Sequence, residues 1–198
     1  STNDLDTYGS ERDGDDCCFD DMSSTTKSAT ADVVSTFIEV TGGQGSTIGI
    51  EYYPGEQTLG TGSRSDTGAQ GADSGTSTST YTGKARVKDL ITIYGEPTWM
   101  FSDYFGVYGK VGVTSMKVLT EESLDVGTDS SAYPNKTVMG GMYGLGVKAV
   151  SPFGLFLKAE ATEHVIQKMR FISETGNGNI IKANLDITSV RFALGYNF

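Results

Sequence analysis

The chain closes on Ser189-Val190-Arg191-Phe192-Ala193-Leu194-Gly195-Tyr196-Asn197-Phe198. Bulky apolar side chains stand at 190, 192, 194, 196 and 198, alternating with Arg, Ala, Gly and Asn. Successive side chains of a strand point to opposite faces, so this period of two predicts a strand with one apolar face and one small or polar face. An aromatic anchor on the last residue is unusual, because termini commonly fray.

Working outward, 198 residues with a formal net charge of −10 fit a single domain spanning 1–198. The acidic balance argues against a nucleic-acid partner, which would call for clustered Lys and Arg. Only 37% of residues are hydrophobic, and the mean hydropathy is −0.24. No run of about 18 apolar residues could span a bilayer as a helix. A transmembrane β-barrel reconciles these facts, since only alternate residues face lipid while the lumen and outer loops are polar. Ser1-Thr2-Asn3-Asp4 carries no leader signature; export would require a leader removed ahead of it.

Alternation recurs along the chain. Residues 1–31 are acidic, Ser/Thr-rich and unpatterned, and read as an external loop. Strands are expected over Asp32–Thr41, Ser46–Tyr53, Ala85–Glu96, Tyr104–Leu119, Thr137–Val150, Phe153–Phe171 and Ile180–Phe198. Residues 54–83, Gly/Ser/Thr-rich and nearly free of apolar side chains, read as a long external loop. Gly42-Gly43-Gln44-Gly45 and Ser151-Pro152 read as tight turns. Long and short connections alternate, as in an outer-membrane barrel with long external loops and short periplasmic turns. A soluble sandwich is the alternative, and it explains neither that asymmetry nor the terminal Phe. The expected fold is therefore an all-β, antiparallel up-and-down transmembrane barrel of eight strands, of which seven are visible. The missing strand either precedes Ser1 or lies within residues 1–10. A slip of parity between Ile187 and Val190 predicts a β-bulge.

Residues 32–198 resemble small bacterial outer-membrane β-barrels of the OmpA/OmpW-like porin group, of the marine proteobacterial type. The resemblance rests on Ile48-Gly49-Ile50-Glu51-Tyr52, Gly106-Val107-Tyr108-Gly109-Lys110-Val111-Gly112, Gly144-Leu145-Gly146-Val147-Lys148 and the closing strand. It implies residence in the bacterial outer membrane with surface-exposed loops, and insertion by the barrel-assembly machinery. It does not imply one activity. The expected role is structural or porin-like. The alternatives are a surface or secreted β-subunit that assembles by strand complementation, and a rim-sited enzyme. Expected partners are outer-membrane lipid, the assembly machinery, and other copies through open strand edges.

Parity assigns Glu39, Glu51, Tyr94, Glu96, Tyr108, Lys110, Lys148, Lys158, Glu160 and Arg191 to the inner face. An eight-stranded barrel is just wide enough for side chains to fill. The eight charged members are expected to pair as a lumen charge network, either as a closed plug or as a rearranging ion path. Tyr94, Trp99, Tyr104, Phe105, Phe153, Tyr196 and Phe198 lie near the short turns and read as membrane-interface aromatics, Tyr94 thus falling in both sets. Asp13, Asp15 and Asp16 offer hard oxygen donors for Ca²⁺, the alternative being a solvated acidic loop. Adjacent Cys17 and Cys18 admit a strained vicinal disulfide, a bond to another chain, or free thiols. His164, the only histidine, reads as a hydrogen-bonded filler of the lumen. No nucleophile motif accompanies it, so neither an enzyme nor a cofactor is expected.

Overall fold

A computed structural model describes residues 1–12, 22–67, 78–122, 133–174 and 180–198. Their strands are β1 (Thr2–Arg12), β2 (Met22–Asp32), β3 (Thr36–Thr41), β4 (Thr47–Thr67), β5 (Thr78–Glu96), β6 (Thr98–Met100), β7 (Phe105–Glu122), β8 (Lys136–Val150), β9 (Leu155–Ile172) and β10 (Ile180–Tyr196), with one 3₁₀ turn at Gly43–Gly45. Every pairing is antiparallel. The hydrogen-bonded order is β2-β1-β10-β9-β8-β7-β5-β4-β3, with β6 beside β7.

The two ends of that path are successive stretches of one chain segment. β2 bonds β1 and β3 bonds β4, with only Val33–Ser35 between them. Likewise β6 continues β5 along β7 past Pro97, which has no N–H to give the ladder. Eight wall segments result: β1, β2–β3, β4, β5–β6, β7, β8, β9 and β10. The ladder is not continuous around them. The upper half of β4 has no backbone pairing with β2, although the stem of Lys27 lies against Gly60. β3 pairs only with β4, and β10 beyond Val190 only with β9.

Three expectations change. The first strand is Thr2–Arg12, paired residue for residue with β10 from Thr2↔Val190 to Arg12↔Ile180, so residues 1–12 and 22–31 are not loop. Residues 54–83 are not a loop throughout either, since β4 runs to Thr67 and β5 begins at Thr78. Polar strands escape a hydrophobicity reading because their ladder, supplied by distant neighbours, asks nothing of side-chain polarity. The expected bulge between Ile187 and Val190 is absent. Pairing with β9 is unbroken from Leu185 to Tyr196, and the irregularity lies at Ala183/Leu185.

What changes at that point is which face is apolar. On β10, Leu185 and Ile187 are buried inward, whereas Val190, Phe192, Leu194 and Tyr196 are exposed outward. On β7, Met116 and Val118 point in, and Phe105, Val107, Val111 and Val113 point out. The upper half thus has an apolar interior under a polar exterior, built on Leu5, Leu59, Met116, Ile166, Met169 and Leu185 among others. The lower half, nearest the short turns, has an apolar exterior around a charged interior. The lower apolar face of β7, Phe105 to Val113, is nine residues long, and a tilted strand needs about 9–11 to cross a bilayer. On β5 the switch is a true bulge: Asp89 adopts a left-handed φ of 53°, the register shifts between Lys88 and Ile91, and the inward set moves from Val87 to Thr92, Tyr94 and Glu96.

Substitutions on β10 and β9 test this inversion. Phe192→Arg, outward on the lower half, should cost about 2–4 kcal/mol in vesicles. Thr188→Arg, also outward but above the apolar belt, should stay within about 0.5 kcal/mol. Ile166→Ala, inward on the upper half, should cost about 2–5 kcal/mol. Urea unfolding of the vesicle-folded protein reads all three, and equal costs at 188 and 192 would refute the inversion.

Candidate functional site

The lower lumen is lined by inward residues from seven wall segments, all but β1. Two tyrosines lie over glycines of neighbouring strands. A Cβ on Gly49 would stand 2.6 Å from Cζ of Tyr94 and 2.9 Å from Cγ of Glu39, and one on Gly146 would stand 2.5 Å from the Tyr108 hydroxyl. Only glycine leaves these rings room to lie across the narrow bore.

All eight charged residues of the expected network lie inside. Lys110 Nζ reaches Glu160 at 2.9 Å, Glu51 at 3.3 Å and Glu96 at 3.6 Å. Lys158 Nζ reaches Glu39 at 2.5 Å and Glu96 at 2.6 Å. Arg191 contacts Glu51 through one guanidinium nitrogen and Glu160 at 2.6 Å through another. These links join Glu39, Lys158, Glu96, Lys110, Glu51, Glu160 and Arg191 into one chain of contacts. Lys148 stands at its edge and donates to the Gly45 carbonyl at 2.7 Å. Four glutamates thus face Lys110, Lys148, Lys158 and Arg191, and the formal charges cancel.

Neutral donors complete the shell. Tyr94 donates to Glu39 at 2.7 Å, Tyr108 to Glu160 at 2.7 Å, Thr47 to Glu96 at 2.9 Å and Ser35 to Glu51 at 2.6 Å. Lys110 also sits 3.9 Å from the centroid of the Tyr94 ring, a cation–π contact strengthened by desolvation. Ser35 and Thr47 carried no sequence signal beyond parity; their roles follow from where the break before β3 and the start of β4 place them. Tyr94 is only 2% exposed, which removes it from the interface aromatics. It shares the inward parity of Thr92 and Glu96 below the β5 bulge. Trp99, Tyr104, Phe105, Phe153, Tyr196 and Phe198 are exposed around the short-turn end.

Above the charges lies a neutral polar layer. Thr92 and Thr114 hydroxyls are 2.8 Å apart, and Thr114 lies 2.8 Å from His164 Nδ1. Tyr53 meets the imidazole edge-on at 6.5 Å, and Ser189 donates to Asn3 at 2.5 Å. The apolar core of the upper half begins immediately beyond, with Ile166 and Leu185 at 0% exposure. Below, a vestibule of about 570 Å³ opens at the short-turn end, with Glu39, Lys148 and Lys158 at its inner wall. The lumen is therefore open at one end, ionic in the middle and apolar at the other. The candidate Ca²⁺ ligands Asp13, Asp15 and Asp16, and the pair Cys17–Cys18, lie outside the described residues.

No family and no curated protein matches this chain. Among solved structures, it is similar to the crystal structure of Ail, the attachment invasion locus protein of Yersinia pestis, in complex with the heparin analogue sucrose octasulfate. That likeness has a TM-score of 0.36 and 9% identity over 97% of each chain. A second crystal structure of Ail gives 0.34 and 8%, again over 97% of each. The fold assignment rests on strand register and burial rather than on these likenesses.

Removing one member of a buried ion pair strands the others. Lys110→Met should lower the unfolding free energy by about 3–5 kcal/mol. Adding Glu160→Gln should recover part of that loss, because charge balance returns. Fluorescence of Trp99, the only tryptophan, can follow the urea titrations, and strictly additive losses would rule out the coupling.

Proposed function

We propose that the protein is an outer-membrane β-barrel with a non-conducting, structural role, which holds a water-facing β-sheet above the bilayer. The inversion of polarity at mid-height carries this reading. Lipid can cover the lower exterior, whose apolar side chains would otherwise face water. The polar exterior of the upper half, closed over its own apolar core, suits an aqueous surface. The short turns then face the periplasm, and the far ends of the long strands face outward.

A porin-like role finds less support. Ions entering the vestibule meet neutralised charges and then a packed apolar layer, where desolvation is costly. Rearranging Glu–Lys pairs alone would not open that layer. The lumen also gives His164 a Thr114 hydroxyl as its partner, which suits a filler better than a general base.

A second reading is assembly by strand complementation, favoured by the unpaired edges of β3 and of β10 beyond Val190. It differs in outcome on a semi-native gel. A single compact band that shifts on boiling supports the closed-wall reading, whereas a heat-labile ladder supports complementation.

In planar bilayers the intact protein should show no resolvable conductance. Stable single-channel steps from the purified chain, absent in Lys110→Met, would replace the structural role with an ion path.

A further inference from the structure

Just above the apolar belt, two places on the outer wall set like charges directly opposite one another. Asp6 of β1 is the register partner of Asp186 of β10, and Lys88 of β5 is the partner of Lys117 of β7. Asp6, Asp186 and Lys117 are exposed, and none has an oppositely charged partner among the described residues. Lys88 is held only loosely, 3.9 Å from Glu56. Glu56 and Glu121 are otherwise engaged by Arg86. Directly opposed like charges destabilise an antiparallel pair, so each wall carries a local cost that its own fold leaves unrelieved.

The two walls match in position. Asp186 stands four residues above Val190, the uppermost lipid-facing valine of β10, and Lys117 stands four above Val113, its counterpart on β7. Around the wall, the β10–β1 pair and the β5–β7 pair are separated by β8 and β9 on one side and by β2–β3 and β4 on the other. They are diametrically opposed.

We infer that copies of this chain associate side by side in the membrane, with the Asp6/Asp186 wall of one copy against the Lys88/Lys117 wall of the next. This rests on the membrane-barrel reading above. The bilayer holds all copies at one height and in one orientation, so the walls meet in register. Each like-charged pair then gains the counter-charges it lacks. The net charge of −10 opposes this only at long range, since salt at about 0.15 M screens charges beyond about 8 Å. Because the contact joins unlike, opposite faces, it propagates as rows and does not close on a dimer.

Zero-length carbodiimide coupling, which joins a lysine amine to a touching carboxylate, tests this in phosphatidylcholine vesicles. The wild type should give a ladder of dimers and higher species with a Lys117–Asp186 cross-linked peptide by mass spectrometry. Raising salt from about 0.01 M to about 1 M shortens the Debye length from about 30 Å to about 3 Å and should abolish the ladder. Lys88→Glu with Lys117→Glu should lose it, and so should Asp6→Lys with Asp186→Lys. All four substitutions in one chain should restore it. A ladder that survives either single-wall reversal, or that the four-fold variant fails to restore, overturns the proposal. A heat-shifting gel band checks insertion of each variant. A wild type that never enters the vesicles refutes the barrel reading itself, whereas one that inserts without a salt-sensitive ladder refutes only the lateral association.

Discussion

Buried charge is the constraint on which the lower half of this barrel depends. A glutamate or lysine taken out of water without a partner costs several kcal/mol, and among the described residues the lower bore gathers four glutamates, three lysines and one arginine. They are tolerable only because almost every carboxylate meets a cation and a neutral donor at once. That demand reaches outward into the wall. Tyr94 and Tyr108 reach their carboxylates by lying over Gly49 and Gly146, so the glycine-rich strands are part of the electrostatics. Glu51 needs Ser35, which places the short break between β2 and β3 beside the network.

The same wall carries two opposite polarity patterns. In the lower half the outward side chains are Val, Ile, Leu and aromatics, and the interior carries charge. In the upper half Leu, Ile, Met and Val turn inward and Asp, Lys and Thr face out. On the proposed membrane reading, this inversion lets one continuous set of strands satisfy an exterior in lipid and an exterior in water. The layer of Thr92, Thr114 and His164 lies where the two interiors meet, and supplies hydrogen bonds without net charge. It separates an ionic compartment from an apolar one over a few ångströms, which is why the lumen reads as a plug.

Much of the lumen was legible in the alternation. A period of two assigns side chains to faces wherever the strand is regular, and it put Glu39, Glu51, Glu96, Lys110, Lys148, Lys158, Glu160 and Arg191 on one surface. It misread Tyr94 as an interface residue, because closeness to the short turns was weighed against parity. It left β1 as one of two alternatives and missed most of β2, because Thr, Ser and Asp carry no apolar signal there; the evidence for β1 is a hydrogen-bonded partner more than 150 residues away in the chain, and the evidence for β2 is β1 itself.

By itself, the sequence determined that the chain forms antiparallel strands joined alternately by short and long connections, and which side chains share a face. Those properties are local, set by the backbone period and the turn residues. Tertiary structure alone decided which side chains are buried at each height, and so turned an apparent slip at Ile187–Val190 into a change of which face is apolar with no change of register. It also decided the pairing inside, because contacts such as Lys158 with Glu39, 119 residues apart, exist only once the wall has curved round to bring opposite strands within reach.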